Sequence, residues 1–140
     1  MISISVASKR AIHALDVTDV ILEQQWPNGF LWISCPHTTA ALLLGENDPD
    51  MLADYERIAR ELFAPFEPFR HSRNGKPNAA AHLLSSIAGT QIVLPVIDGR
   101  PALGTFQRVI FLELDGPKPS RTIQVASIPV SWPVGAAETR

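Results

Sequence analysis

QIVLPVIDGRPALGTFQRVIFLELDGPKPSRTIQVASIPV, residues 91–130, decides the fold class. Gln91 to Val96, Ala102 to Leu114 and Thr122 to Val130 are rich in Val, Ile, Leu and Phe, which pack well on a pleated, half-buried surface. Asp98-Gly99 and Asp115-Gly116-Pro117 interrupt them with turn chemistry. Gly104-Thr105, inside the second run, predicts a bend or a bulge. The C-terminal part of the chain therefore reads as a β meander.

Upstream, strands and helices are mixed. Ile2, Ile4 and Val6 alternate with Ser3 and Ser5, which predicts an opening strand. Asp16 or Thr18 caps a helix running to Gln25, with Val17, Val20 and Ile21 on one face. Pro27-Asn28-Gly29 is a turn, and Phe30 to Cys35 and Thr38 to Leu44 are strands broken at Pro36. Asp48-Pro49 starts a helix, with the aspartate as cap and proline in the first turn. Leu52, Tyr55, Ile58, Ala59, Leu62 and Phe63 then recur at helical spacing. Pro65 and Pro68 end that helix, and residues 65–78 form a long loop of the kind that often carries function. Asn78 is placed to cap a short helix, Ala79 to Ala88, that stops at Gly89. Helices inserted among strands that end in a meander give an α+β single domain over residues 1–140. The residues after Trp132 are expected to be loosely held.

The 140 residues are enough for a core without cross-links. A net charge of −2 gives no electrostatic footprint for nucleic acid. No apolar run approaches the ~20 residues that span a bilayer, so no membrane partner is expected. The first residues lack the basic start and apolar run of a signal peptide, and Cys35 is the single cysteine. These features predict a cytoplasmic protein.

Three of the four histidines sit where structure alone does not explain them. His37 lies between two strands, His71 in the long loop and His82 on the short helix. Neutral imidazoles from separate segments can hold a divalent metal with an open position, or move protons. Their spacings, 34 and then 11 residues, match no compact metal signature. His13 reads as structural. Glu46, before the helix cap, is a candidate ligand or general base, or only a favourable charge near a helix N-terminus. Thr38, Thr39, Ser85 and Ser86 offer hydroxyls, and Arg100 and Arg108 offer guanidinium groups, for phosphate. No Walker A sequence, dinucleotide-binding glycine pattern or nucleophile elbow is present.

Three segments in order, PHTTAALLLGENDPDMLADYE, RHSRNGKPNAAAHLLSSIAGTQIVLPV and DGRPALGTFQRVIFLELDGPKPSR, resemble the YjbQ-like family of small proteins. The resemblance implies an α+β fold with a mixed β-sheet curved into a half-barrel, a few helices packed on it, and association as a homotrimer. It carries the family's histidine-threonine motif onto His37, Thr38 and Thr39, its acidic segment onto Glu46, its loop histidine onto His71, and its helix motif onto Asn78 and His82 followed by Ser85. Its glycine-threonine-aromatic-glutamine run falls on Gly104, Thr105, Phe106 and Gln107. Gly45 stands where many members have Asn, and Phe106 where many have Trp.

The activity associated with the family is that of a secondary thiamine-phosphate synthase, which joins a pyrimidine diphosphate to a thiazole phosphate and releases pyrophosphate. The expectation is that His37, His71 and His82 hold a divalent metal, Zn or Mg, or move protons. Arg100, the threonines, Asn78, Ser85, Gly104, Thr105 and Gln107 would contact a small phosphorylated metabolite. The alternatives are a metal-dependent hydrolase with Glu46 as general base, and a non-catalytic trimer that binds a metabolite or anion.

Overall fold

A computed structural model describes residues 1–132. The strands are β1 (Ile2–Val6), β2 (His13–Asp16), β3 (Gly29–Ser34), β4 (Ala40–Gly45), β5 (Gln91–Ile97), β6 (Arg100–Pro101), β7 (Arg108–Glu113) and β8 (Arg121–Pro129). The helices are α1 (Thr18–Leu22), α2 (Pro49–Glu61) and α3 (Ala79–Ala88), with 3-10 turns at Ala64–Phe66 and Arg70–Asn74. The strands form a five-stranded sheet, β1-β8-β3-β5-β6, and a three-stranded sheet, β2-β7-β4. The α+β class and the curled half-barrel hold. Each described ladder is antiparallel, which refines the expected mixed sheet.

The two sheets face each other across the main core. Leu31, Ile33, Leu94, Val96, Ile123 and Val125 from the larger sheet meet Leu42, Val109 and Phe111 from the smaller. The other face of the smaller sheet, with Ala41, Ile110 and Leu112, packs against Ala59 of α2 and Ala81 and Leu84 of α3. The smaller sheet is thus covered on both faces. That is why Ala40–Leu44 and Val109–Leu112 are continuous apolar runs rather than alternating ones.

Local signals explain most elements. Asp48 Oδ1 accepts hydrogen bonds from Asp50 N and Met51 N and starts α2 as a capping aspartate should. Helix α1 is far shorter than the stretch to Gln25. Asp16 ends β2 instead, and its Oδ1 accepts from Thr18 N. The second apolar run, Ala102 to Leu114, is a strand only over β7; residues 102–107 form the loop that links it to the two-residue β6. Gly45 lies where a Cβ would collide with the Tyr55 hydroxyl, so the tyrosine fills the space an Asn would need. Trp132 packs edge-on against Phe30, at 4.9 Å between ring centroids, and donates to Val96 O. The loose tail expected beyond it lies outside the described residues.

One buried ion pair staples the two sheets. Arg121, at the start of β8, donates through Nε to Glu113 Oε2 at 2.8 Å, and through Nη2 to Glu113 Oε1. The side chains are 9% and 0% exposed. Removing one partner strands a buried charge, so Glu113→Ala should cost about 3–5 kcal/mol. Urea unfolding of Glu113→Leu combined with Arg121→Met should show a clearly smaller loss; equal losses would contradict this account of the pair.

Candidate functional site

His37 sits in the short crossing between β3 and β4. Pro36 ends the pairing of β3, and Thr38 and Thr39 turn the chain into β4. The amide of Thr122, on β8, donates to His37 Nε2 at 2.9 Å. Thr39 is buried, and its Oγ1 accepts from Arg121 Nη2 at 2.9 Å. Adjacent residues of β8 thus fix the histidine and the threonine. Burial, and then the positive charge of Arg121, lower the pKa of His37. An N–H pointing at Nε2 also disfavours a proton there.

Helix α3 forms the facing wall. Ser85 Oγ donates to Ala40 O at 2.7 Å and ties the helix to β4. Ser86 Oγ donates to His82 O at 2.9 Å. Between these elements lies an open cleft of about 360 Å³ lined by Cys35–Thr38, Ser85, Ser86, Gly89 and Thr90. The His71 ring, from the Arg70–Asn74 turn, meets the His82 ring edge to face, with centroids 4.9 Å apart and planes at 81°. The long loop is thereby laid against α3, one turn before Ser86. Asn78 does not cap α3 with its side chain, as the sequence led us to expect. Its Nδ2 donates to Asp115 Oδ2 at 3.1 Å, while Oδ1, the atom a cap would use, has no partner among the described residues.

The other candidates lie at the opposite end of the barrel. Glu46 follows the last residue of β4 while Thr39 precedes the first. The six extended residues of β4 separate Thr39 from Glu46, about 20 Å at ~3.3 Å per residue. Arg100 pairs with Ile97 at the end of β5 remote from Gln91, whose register partner Ser34 leads to His37. The Gly104–Gln107 turn, tied by Gly104 N donating to Gln107 Oε1 at 2.9 Å, leads into Arg108, the partner of Gly45. Thr105 stands exposed in this turn. Within one chain, Glu46, Arg100, Gly104, Thr105 and Gln107 therefore do not join the histidines. Arg108 is engaged too: Nε donates to Asp16 Oδ2 at 2.7 Å and Nη2 to Asp19 Oδ1 at 2.8 Å.

The expected metal needs three converging imidazoles. His71 and His82 lie side by side, but the Nε2 of His37 is taken by Thr122. Among the described residues, no group of three or more His, Cys, Asp or Glu is arranged to hold a metal ion. His37 does not fit as the third ligand.

Arg121 and Glu113 were not singled out as site residues, although a signal existed. Arg121 has the same strand parity as Ile123 and Val125, and Glu113 the same as Val109 and Phe111. Strand alternation sends both inward, where an arginine needs a carboxylate.

An α+β half-barrel with a histidine-lined cleft at one end defines the structural class. A family model described as UPF0047 protein YjbQ-like matches residues 2–129, and the chain belongs to that family. A UPF0047 protein from Archaeoglobus fulgidus is 33% identical over 123 residues, covering 86% of this chain and 95% of that one. The UPF0047 protein YjbQ of Escherichia coli O157:H7 is 37% identical over 109 residues, covering 74% and 78%. The crystal structure of a hypothetical protein from Aeropyrum pernix K1 superposes with a TM-score of 0.85 at 38% identity, covering 91% of this chain and 97% of that one.

The histidines predict a pH dependence. His13 Nδ1 accepts from Lys9 N at 3.1 Å, and burial, followed by the charge of Arg10, lowers its pKa. His13 and His37 both titrate below their ordinary 6.5 when folded. The unfolded chain then binds protons first, so stability is fully present above 6.5 and falls as pH drops below it. The depressed carboxylates Glu113, Asp16 and Glu56 add their losses only at lower pH, beneath the ordinary carboxylate range. Urea unfolding between pH 7.5 and 5 should show this slope, and asparagine at both positions should flatten it.

Proposed function

We propose that the protein acts on a small phosphorylated metabolite at the end of the barrel that carries His37, His71 and His82. The reading is a thiamine-phosphate synthase-like transfer, joining a pyrimidine diphosphate to a thiazole phosphate with release of pyrophosphate. The observation that carries it is the contact between His71 and His82. It lays a turn bearing Arg70 and Arg73 against the helix that walls the cleft. Neither arginine, nor Lys76, forms an ion pair among the described residues. Free cations and oriented N–H groups are what a departing pyrophosphate requires. The hydrolase reading is less favoured, because Glu46 is too remote from these histidines to serve as their base within one chain.

We further propose a cytoplasmic homotrimer. No helix of the described residues is long and apolar enough to cross a membrane. Val93, Ile97 and Ile128 stand more than half exposed on the outer face of the larger sheet, and Ile87 on α3. Such apolar surface favours burial against another copy. In a closed ring unlike patches meet, so the end bearing Glu46 and Gln107 could reach a neighbour's histidine end.

Two measurements test this reading. Incubation with both substrates should yield thiamine phosphate and pyrophosphate, and His82→Ala should lower the rate by about a hundredfold. Stability should hardly change, since alanine suits the helix. Absence of product, or an unimpaired His82→Ala, would remove the transferase reading and leave a metabolite-binding protein. Light scattering should report three chains per particle; a stable monomer at micromolar concentration would contradict the trimer.

A further inference from the structure

The hydrogen bond between Thr122 and His37 fixes more than a position. A backbone amide has one proton, and here it is directed at Nε2 from 2.9 Å. Nε2 must answer with its lone pair, because a proton there would face another proton. The neutral ring therefore carries its hydrogen on Nδ1. Thr122 cannot readily turn away, since it lies in register with Ser5 within the β1–β8 ladder. Ligating a metal through Nδ1 would move the proton to Nε2 and break this bond.

Resting on the proposed reading of the site, we infer that His37 serves the cleft as a neutral Nδ1–H donor to an anionic phosphoryl oxygen, and neither as a metal ligand nor as a general base. His37 lines the cleft, and its Nδ1 has no protein partner among the described residues. Nor is that nitrogen sealed away: Asn78 Oδ1 is the one buried side-chain polar atom without a partner among them. The rest of the wall agrees. No aspartate or glutamate lines the cleft. The hydroxyls of Thr38 and Thr90 have no protein partner among the described residues, so both can donate. Ser86 spends its proton on His82 O and acts as an acceptor only. The nearby carboxylate, Glu113, is engaged by Arg121, Ser8 and the amides of Leu114 and Asp115. Burial and the Arg121 charge keep the ring neutral, which suits an imidazole that donates without titrating. Three available donors, His37 Nδ1 and the hydroxyls of Thr38 and Thr90, with Arg70 and Arg73 on the adjacent turn, favour a phosphoryl group.

Long-range proton–nitrogen NMR correlation of the histidine rings reads the tautomer directly. The expected result for His37 is a protonated Nδ1 and an unprotonated Nε2, with the Nδ1 signal moving as inorganic phosphate, and then pyrophosphate, is added. Two substitutions separate the nitrogens. His37→Gln places its amide near Nε2 and loses the donor, so phosphate affinity should fall about tenfold or more. His37→Asn places an amide nitrogen near Nδ1 and should retain affinity to within about threefold. An Nε2–H tautomer would overturn the inference, and so would a His37→Gln protein that binds phosphate as the wild type does. In that last case phosphate binding survives and the proposed function with it. A wild-type protein that binds neither anion would overturn both.

Discussion

Where the two sheets come together at the histidine end, the guanidinium of Arg121 meets the carboxylate of Glu113 out of contact with water. Burying two charges is costly, and further hydrogen bonds to the carboxylate offset that cost. Ser8 Oγ and the amides of Leu114 and Asp115 donate to Glu113, while Arg121 Nη2 also donates to Thr39 Oγ1. Glu113 closes β7 in one sheet and Arg121 opens β8 in the other, so the pair sets how the sheets meet. The same contact fixes Thr39, and the next residue of β8 fixes His37. The Asp115 turn is held as well: a Cβ on Gly116 would run into Arg10 O, Ser8 Oγ and Glu113 Cγ. Site geometry and sheet packing are thus one arrangement.

Much of the fold was legible because local chemistry and burial agree. Asp48-Pro49 starts a helix, Asp98-Gly99 makes a turn, and the apolar runs are strands. Two failures were tertiary in origin. No strand was expected at His13 to Asp16, a four-residue segment that pairs with β7. Asn78 had the sequence of a cap, but its side-chain amide is held through Nδ2 by Asp115, from a segment far along the chain, and its Oδ1 takes no helix N–H.

The site was half legible. Odd local settings marked His37, His71 and His82, and the loop histidine does meet the helix histidine. No sequence pattern shows which end of a strand a residue occupies in space. Glu46 and Gln107 fall on motifs of the same family as the His37 motif, yet β4 holds the two groups apart by its full length. Nor could the sequence reveal that a backbone amide would take one nitrogen of His37. That hydrogen bond turns a candidate metal ligand into a donor.

The two ends of the barrel are closed by different electrostatics. At one, Arg108 spans Asp16 and Asp19 near the surface. At the other, the Arg121–Glu113 pair is sealed, and the hydrogen-bonding groups left over face a cleft. We propose that a phosphorylated ligand binds at this second end. Backbone amide shift mapping during a pyrophosphate titration tests it most directly. The largest changes should fall at His37, Thr38, Ser86 and Thr90, with further changes on the Arg70–Asn74 turn. Pyrophosphate binding that leaves His37, Thr38, Ser86 and Thr90 unmoved would contradict it.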